Sequence, residues 1–478
     1  MIGPALVEAL GRIVGTRWVR HRRAELKTFA MDGLPTRESF PGVVVLPGSA
    51  EEVRDVVRLL HLTGVPFVAR GAGTGLSGGA VADPDAVLVT LTRMNRILSV
   101  DRARRRAVVQ PGVINARLSE AVAPLGLYYV PDPSSQSACT VGGNVAENAG
   151  GPHCLKYGVT TNHVVQLDVV LPDGSEVTLG SPHGEPWGPD LVGLFIGSEG
   201  MFGIVTAITV RLEPLPPSVR TMLADFPTVR AASEAVSSVI ATGIVPAAME
   251  MMDRACVAAV EASIYAAGYP TDAAAVLLVE LDGQAGAVEA ESKMVEAILC
   301  ERGARSVQSA STPAERARLW QGRKKAFGAM GRIAPDLAVQ DAVVPRSILP
   351  EIMDRIAEIR DRYALNISNV FHAGDGNLHP NISFDRRDPD VAHRVHEACN
   401  EIMAACVEAG GSITGEHGVG SDKVGYMAWI FDAETLGAMR AVRRVFDPGE
   451  RANPGKVVPL HACREWTATP AARTGAHA

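Results

Sequence analysis

The sequence predicts a mixed α and β fold divided into at least two domains. Its 478 residues exceed one comfortable hydrophobic core, because domains usually hold about 50–250 residues. Short apolar runs typical of strands alternate with segments of helical periodicity through the first half of the chain. Prolines at 214, 216 and 217 then interrupt the pattern, and longer helices follow. We therefore place a domain boundary at about residue 215.

The elements of the first part follow from strand and cap signals. Ser49 and Glu52 form a capping box that predicts a helix ending at Gly64. The predicted strands are 43–46, 66–69, 87–91, 107–110, 164–171, 176–179 and 203–210, and a second helix is predicted at 115–125.

The second part is predicted to alternate strands with longer helices. Thr312 and Glu315 form another capping box with proline at the first helical position, which predicts one helix from there toward Arg332. The other predicted elements are strands at 275–281, 339–344 and 367–371 and helices at 287–302, 347–363 and 389–410.

Charge and cysteine content exclude several function classes. The net charge is −7, and the sequence has no basic stripe with interleaved aromatics, so a nucleic-acid partner is not expected. The basic residues 17–27 are predicted to be a solvated helix face. Seven scattered cysteines without a CxxC pair predict free thiols in a reducing compartment and no iron–sulfur cluster. No apolar run reaches the roughly 18–20 residues that span a bilayer, which favours a cytoplasmic protein.

Two histidines beside a glycine turn form the clearest candidate site. His372 ends one short extended segment and His379 lies in the next, with Gly374-Asp375-Gly376 between them. A hairpin at this turn would bring the two imidazoles together. The alternative is a pair of structural histidines beside a turn.

Glu416 and His417 follow after a predicted helix and complete a set of four. Glycines at 415, 418 and 420 flank them and permit an irregular backbone. Two imidazoles and a carboxylate form an N/O ligand set for a divalent transition metal such as zinc, with open positions for substrate or water. His417 would then move protons.

Three glycine-rich loops occur at 69–80, 131–151 and 197–203. Glycines allow successive backbone N–H groups to point at one anion, so the loops predict a large phosphate-bearing ligand. Gly73, Gly75 and Gly78 match G-x-G-x-x-G, but no helix is predicted to begin there, which argues against a Rossmann domain.

The first loop, Arg70 to Gly79, resembles the pyrophosphate loop of the FAD-binding domain shared by vanillyl-alcohol oxidase and p-cresol methylhydroxylase. Other motifs resemble the branch of that family that oxidises D-2-hydroxy acids, which includes the FAD-containing catalytic subunit of bacterial glycolate oxidase and the D-lactate and D-2-hydroxyglutarate dehydrogenases. These motifs are 131–135, 142–148, 156–158, 197–200, 250–253, 320–324, 453–456 and the two histidine motifs. The resemblance covers nearly the whole chain.

The resemblance implies an α+β fold with a two-part FAD-binding domain of the p-cresol methylhydroxylase type. A substrate (cap) domain, also α+β and built on an antiparallel sheet, would accompany it. Residues 1–215 would form the FAD-binding domain and 216–420 the substrate domain with the metal site. Residues 421–460 would be a helical segment that returns to the FAD-binding domain, and 461–478 a tail.

The resemblance also implies which residues bind the cofactor. The diphosphate would be held by Arg70, Gly71, Ala72, Gly73, Thr74, Gly75 and Ser77. The rest of the cofactor would be lined by Pro133, Ser134, Gly142, Gly143, Asn144, Gly150, Glu199 and Ile204, with Asn453 near the flavin ring. Some relatives attach the flavin to a histidine where this chain has Thr74, so the FAD is expected to be non-covalent.

By the same resemblance, His372, His379 and Glu416 bind a divalent metal, zinc or manganese, and His417 is the catalytic base. Arg323 would grip the substrate carboxylate; its alternative role is a solvated helix charge. A relative specific for hydroxyglutarate has a lysine where this chain has 337–340, which favours a small substrate.

These residues predict FAD-dependent oxidation of a small 2-hydroxy acid, glycolate or D-lactate, to the 2-oxo acid. The alternatives are a metal-dependent hydrolase without flavin, a D-2-hydroxyglutarate dehydrogenase, and a non-catalytic flavin-bearing subunit. The resemblance further implies a companion flavoprotein and an iron–sulfur subunit that pass electrons toward quinone. Such partners would bring a cytoplasmic protein to the inner face of the membrane.

Overall fold

The computed structural model describes residues 2–183 and 188–459, which form two compact units. The first unit contains the residues up to Gly150, Gly158–Leu215 and the segment that begins at Glu416. The second contains Gly151–Tyr157 and Pro216–Gly415. The predicted tail, 461–478, lies outside the described residues.

The first unit holds two larger sheets. One contains, in spatial order, Val19–Arg20, Val43–Val45, Val87–Thr90 and Phe67–Arg70, of which the last three are parallel. The other is antiparallel and contains Ile97–Asp101, Arg106–Val109, Ile204–Arg211, Val164–Val170 and Glu176–Gly180. Leu127–Tyr128 pairs separately with Glu213–Pro214.

The helices of the first unit pack buried valine and leucine side chains against these sheets. The α-helices are Pro4–Val14, Arg23–Leu26, Ala50–Thr63, Asn115–Val122, Val141–Glu147, Thr160–His163, Leu191–Phe195, Met427–Ile430 and Ala433–Phe446. Short 3-10 turns lie at Thr16–Trp18, Lys27–Phe29, Ala123–Leu125 and Val424–Tyr426. The Ser49 hydroxyl accepts from the Glu52 N–H and caps its helix as predicted.

The second unit is built on one antiparallel sheet, as predicted. The spatial order of its main path is Ser306–Ser309, Ser218–Phe226, Ala275–Gly283, Ala248–Asp253, Asn366–His372, Asn377–Leu378 and Ala342–Val343. Pro380–Phe384 pairs with Asn366–His372 and with Asp336–Val339. The helices are Cys154–Tyr157, Val229–Ala241, Arg254–Glu261, Ala285–Glu301, Pro313–Lys324, Ala326–Met330, Leu349–Tyr363 and Pro389–Glu408, with a 3-10 turn at Arg346–Ile348.

Two predicted elements of this unit are each divided in two. The Thr312 capping box is present, but the helix expected to reach Arg332 breaks at Lys325, where ψ is 6°. A second helix then buries Ala326 and Met330 in the apolar core. The strand expected at 339–344 is interrupted at 340–341, between Asp336–Val339 and Ala342–Val343.

Two predictions for the first unit also need correction. The second glycine-rich segment contains a helix, Val141–Glu147, capped by the Thr140 hydroxyl. The basic residues 17–27 do not form one helix, because the strand Val19–Arg20 joins the first sheet.

The six described cysteines are free thiols, as predicted, and Cys463 lies outside the described residues. Within residues 2–183 and 188–459, every helix is too short or too polar to cross a membrane.

Candidate functional site

The three glycine-rich segments of the first unit meet at one groove. Its wall includes Arg70, Gly71, Gly142, Gly143 and Ile204, all of which were predicted to contact the cofactor. A Cβ added at Gly71 would lie 2.2 Å from the hydroxyl oxygen of Thr140, which also lines the groove. Close packing of the first two segments therefore requires glycine at position 71.

Arg70 directs its guanidinium at backbone carbonyls. Its Nη1 donates to the Ala80 carbonyl at 3.0 Å and its Nη2 to the Met31 carbonyl at 2.7 Å. The side chain lies over Gly73, whose φ is +70° and whose added Cβ would be 2.1 Å from Nη2. Arg70 thus fixes the shape of the first glycine loop.

The other residues predicted to bind the cofactor lie in or beside these segments and outside the groove wall. The Asn453 amide donates to the Gly79 and Glu199 carbonyls. The Ser77 hydroxyl is buried and has no hydrogen-bond partner among the residues that the structure describes. Such a hydroxyl is expected where a ligand supplies the missing partner. The remaining members of the set are Ala72, Gly73, Thr74, Gly75, Pro133, Ser134, Asn144 and Gly150.

Glu199 supports the backbone that follows His417. Its carboxylate accepts from the N–H groups of Val419 at 2.7 Å and Gly420 at 2.8 Å. Burial raises the pKa of Glu199 to about 7, although these two donors oppose the shift. Burial and the neighbouring Glu199 also raise the pKa of Glu147. Glu199, predicted to line the cofactor, therefore orders a loop in this structure.

One face of the sheet in the second unit collects four ionisable side chains. Glu250 and His372 are opposite each other on neighbouring strands. The pairing register is the same on both sides of the interruption at 340–341, so Asp341 is opposite His379. Opposed residues point to the same face of a sheet. All four side chains are buried.

The predicted hairpin brings the two histidines together. Asn366–His372 pairs with Asn377–Leu378 across the glycine turn. The imidazole centroids of His372 and His379 are 5.2 Å apart, and the ring planes are nearly perpendicular at 86°. The prediction that these imidazoles are neighbours is confirmed.

Both imidazoles have an oxygen acceptor at Nδ1. Nδ1 of His372 is 2.7 Å from a carboxylate oxygen of Glu250, and Nδ1 of His379 is 3.3 Å from the Gln340 carbonyl. An oxygen acceptor assigns the proton to Nδ1, so Nε2 of each ring carries the lone pair that a metal needs. This arrangement is typical of metal-binding histidines.

Arg323 is buried, which excludes its alternative role as a solvated helix charge. Its side chain is 1 % exposed, and its Nε donates to Glu250 Oε2 at 2.6 Å. Within the described part of the chain neither Nη1 nor Nη2 has a hydrogen-bond partner, although Nη2 lies 2.5 Å from Oε2 as an ion pair. Burial by itself would raise the pKa of Glu250, but the charge of Arg323 and the hydrogen bond from His372 outweigh it and hold the pKa below its ordinary value. Glu250 is therefore ionised and shared between Arg323 and His372.

Asp341 anchors the residues that precede Glu416. It accepts from the Thr414 hydroxyl at 2.6 Å and the Gly415 N–H at 3.0 Å. Its other oxygen is 3.8 Å from Nδ1 of His379. The peptide that leads directly to Glu416 is therefore fixed beside His379.

Glu416 and His417 begin the last segment of the first unit. The backbone there is neither helix nor strand, and φ is +83° at Gly418 and +52° at Gly420. The expected irregular backbone is confirmed.

Sequence reasoning missed Glu250 and Asp341 as site residues. The available signal for Glu250 was its place between apolar residues of the strand Ala248–Asp253, because a buried charge requires a partner. Asp341 gave a weaker form of the same signal, because it follows the polar Gln340 in the predicted strand 339–344.

Two family models together match most of the chain. Residues 41–180 match the model described as FAD binding domain, and residues 215–457 match FAD linked oxidases, C-terminal domain. Glycolate oxidase subunit GlcD of Escherichia coli strain K12 is 47 % identical over 94 % of this chain and 90 % of that protein. Its Bacillus subtilis counterpart is 40 % identical over 96 % and 97 %. D-lactate dehydrogenase of Anaerostipes hadrus is 34 % identical over 87 % and 89 %.

Solved structures show the same fold. A substrate-bound structure of p-cresol methylhydroxylase matches with a TM-score of 0.82 at 17 % identity, over 95 % of this chain and 96 % of that one. The groove among the glycine-rich segments lies in the unit that contains the matched FAD-binding region. The chain belongs to the family of FAD-linked oxidases.

Proposed function

We propose that this protein oxidises a small 2-hydroxy acid, glycolate or D-lactate, to the corresponding 2-oxo acid. It is an FAD-dependent oxidoreductase, and its similar relatives include proteins named glycolate oxidase subunit and D-lactate dehydrogenase. The observation that carries the proposal is the buried set His372, His379 and Arg323, which offers two metal-binding nitrogens and a cationic donor on one sheet face. A 2-hydroxy acid presents the matching groups, a hydroxyl and a carboxylate.

The groove of the first unit fits FAD. Gly71, Gly142 and Gly143 let a ligand approach the main chain, and the buried Ser77 hydroxyl has no partner among the described residues. Bound FAD supplies the hydride acceptor. Thr74 stands where some relatives carry a flavin-linked histidine, which favours non-covalent binding. Asn453, bonded to the Gly79 carbonyl, would lie near the flavin ring.

A divalent metal, zinc or manganese, fits the histidine pair. Both rings present Nε2, and Glu416 is covalently attached to Gly415, whose N–H is held by Asp341. Consecutive Cα atoms are about 3.8 Å apart, so this anchor keeps Glu416 within reach as the third ligand. A cation bound there polarises the hydroxyl and carboxylate of the substrate.

His417 and Arg323 have separate roles in this proposal. His417 takes the proton of the substrate hydroxyl. The guanidinium of Arg323 pairs with the substrate carboxylate. Because Arg323 is buried, no water competes for this pairing.

The substrate is small because residues 337–340 supply no cation for a second carboxylate. In this segment the main-chain carbonyl of Gln340 accepts from His379. A D-2-hydroxyglutarate dehydrogenase remains the alternative within the family, and a lysine in this segment would favour it.

The electrons are proposed to leave through partner proteins. The similar GlcD proteins are named as subunits. The described cysteines are free thiols, and the sequence lacks the clustered cysteines of an iron–sulfur site. A companion flavoprotein and an iron–sulfur subunit would carry electrons toward quinone, at the inner face of the membrane.

Anaerobic reduction of the bound flavin by a panel of 2-hydroxy acids tests the proposal. Glycolate or D-lactate is expected to bleach the flavin absorbance at about 450 nm faster than L-lactate or either hydroxyglutarate. Faster bleaching by D-2-hydroxyglutarate would transfer the assignment to the alternative. Purified protein that contains no flavin would instead support a metal hydrolase.

A further inference from the structure

A single buried carboxylate touches one residue proposed to bind the metal and one proposed to bind the substrate carboxylate. One oxygen of Glu250 is 2.7 Å from Nδ1 of His372, and the other is 2.6 Å from Nε and 2.5 Å from Nη2 of Arg323. Both carboxylate oxygens are therefore occupied. The side chain is fully buried, so no water substitutes for either contact.

The position of Glu250 is fixed by the sheet and the core around it. It is opposite His372 in the strand pairing, and its neighbour on the same face, Met252, belongs to the apolar core. Trp320, one turn before Arg323 on the same helix, belongs to that core as well. In such surroundings an ionised carboxylate is retained only with well-placed charged or hydrogen-bonding partners.

We propose that Glu250 is a positioning residue that orients both the His372 imidazole and the Arg323 guanidinium. By accepting the Nδ1 proton of His372 it directs the Nε2 lone pair toward the metal position and raises its basicity. By accepting from Nε and pairing with the charge of Arg323, it leaves the donors of the guanidinium Nη groups for the substrate carboxylate. Glu250 thereby fixes the distance between the two groups that hold a 2-hydroxy acid. This role rests on the metal and carboxylate assignments of the proposed function.

The test is the metal affinity of Glu250→Gln. Zinc and manganese are titrated into the metal-free, FAD-loaded protein in competition with a chromophoric chelator. Loss of an acceptor behind a metal-binding histidine typically weakens metal binding about 10–100-fold, and we expect this range. KM for glycolate is expected to rise as well, because Arg323 loses its fixed orientation. Glu250→Asp, which keeps the charge on a shorter side chain, should recover part of the metal affinity.

Glu280 provides a matched control on the adjoining strand. It is equally buried and pairs with Arg316 of the same helix, but no contact links it to either histidine of the pair. Glu280→Gln is expected to change metal affinity by less than about twofold, because it shares no partner with His372. Arg323→Met is expected to raise KM for glycolate and to change metal affinity by less than about twofold. An equal loss of metal affinity in Glu280→Gln would overturn the specific role of Glu250.

A second comparison covers the case in which Glu250→Gln does not fold because Arg323 is left unpaired. The double variant Glu250→Gln, Arg323→Met has no unpaired buried cation and is compared with Arg323→Met alone. Weaker metal binding in the double variant supports the proposal, and equal binding overturns it. If the wild-type protein itself binds neither zinc nor manganese, the proposed metal centre fails and this role fails with it. Wild-type affinity retained in Glu250→Gln refutes the positioning role alone.

Discussion

Replacing Glu280 with alanine is expected to destabilise the second unit more than any exposed charge change. Its carboxylate accepts from the Thr221 hydroxyl, the Trp320 indole and the guanidinium of Arg316, at 2.6 to 2.9 Å. His153, stacked on Trp320, lies 3.4 Å from the same carboxylate. Glu280 therefore connects the sheet, the helix that carries Arg323 and the segment Gly151–Tyr157.

The magnitude follows from what the substitution would leave behind. Thr221 and Trp320 are buried, and each buried donor without a partner costs about 1–3 kcal/mol. Removing one partner of a buried charged network typically lowers the free energy of unfolding by about 3–5 kcal/mol. For a domain of about 150–250 residues, each kcal/mol of lost unfolding free energy lowers the midpoint of thermal unfolding by about 2–4 °C. The midpoint should therefore fall by about 6–20 °C.

Calorimetry of the full chain measures this change, and its pH dependence checks the cause. Burial alone would raise the pKa of Glu280, but His153 and Arg316 outweigh burial and hold it well below the ordinary value of 4.5. A carboxyl whose pKa is lower in the folded state stabilises the protein above its unfolded pKa and loses this effect as the pH falls. The difference between wild type and Glu280→Ala should therefore be full at neutral pH and shrink below about pH 4.5. The exposed Glu289→Ala should leave the midpoint unchanged. A shift under about 2 °C in Glu280→Ala would refute the reasoning.

Two further predictions concern the reaction. His417→Ala is expected to keep FAD bound and to lower 2-hydroxy-acid turnover about 10²–10⁴-fold. The control His393→Ala, at an exposed position, is expected to keep full activity. Unchanged turnover in His417→Ala would remove the base assignment. Metal removal with a chelator is expected to abolish flavin reduction by substrate but not by dithionite, and added zinc or manganese should restore it. Reduction that survives thorough metal removal would make the histidine pair structural.

The histidine hairpin was predictable because its signal is local. A glycine turn between two short extended segments fixes the pairing of His372 with its neighbours, and no distant residue is needed. The three glycine segments were likewise visible, although the helix Val141–Glu147 was not, because glycines in its first turn disguise it. Local patterns thus located the neighbouring histidines and the groove.

The supporting carboxylates were not predictable because their partners are far away in sequence. Glu250 meets His372 through a strand register that spans more than a hundred residues. Arg323 appeared to be one of several helix charges, and only its burial against Glu250 distinguishes it from the half-exposed Arg316. Register and burial are tertiary properties, so a single sequence could suggest these roles only through a charge placed in an apolar strand.

The interruption of two facing strands explains how the sheet orients His379 without losing its register. Strand pairing is interrupted at 340–341 in one strand and at His379 in the strand opposite. The pairs on either side of the interruption nevertheless follow one register. Pro380 has no N–H to donate, so the ladder cannot continue there, although its carbonyl still accepts from Gln340. The Gln340 carbonyl is then turned to Nδ1 of His379, and Asp341 takes the Gly415 N–H. In a regular ladder the Gln340 carbonyl would accept from the neighbouring strand instead. The irregularity that defeats strand prediction at 339–344 therefore leaves the Gln340 carbonyl available to orient His379, next to the Asp341 carboxylate that anchors the approach to Glu416.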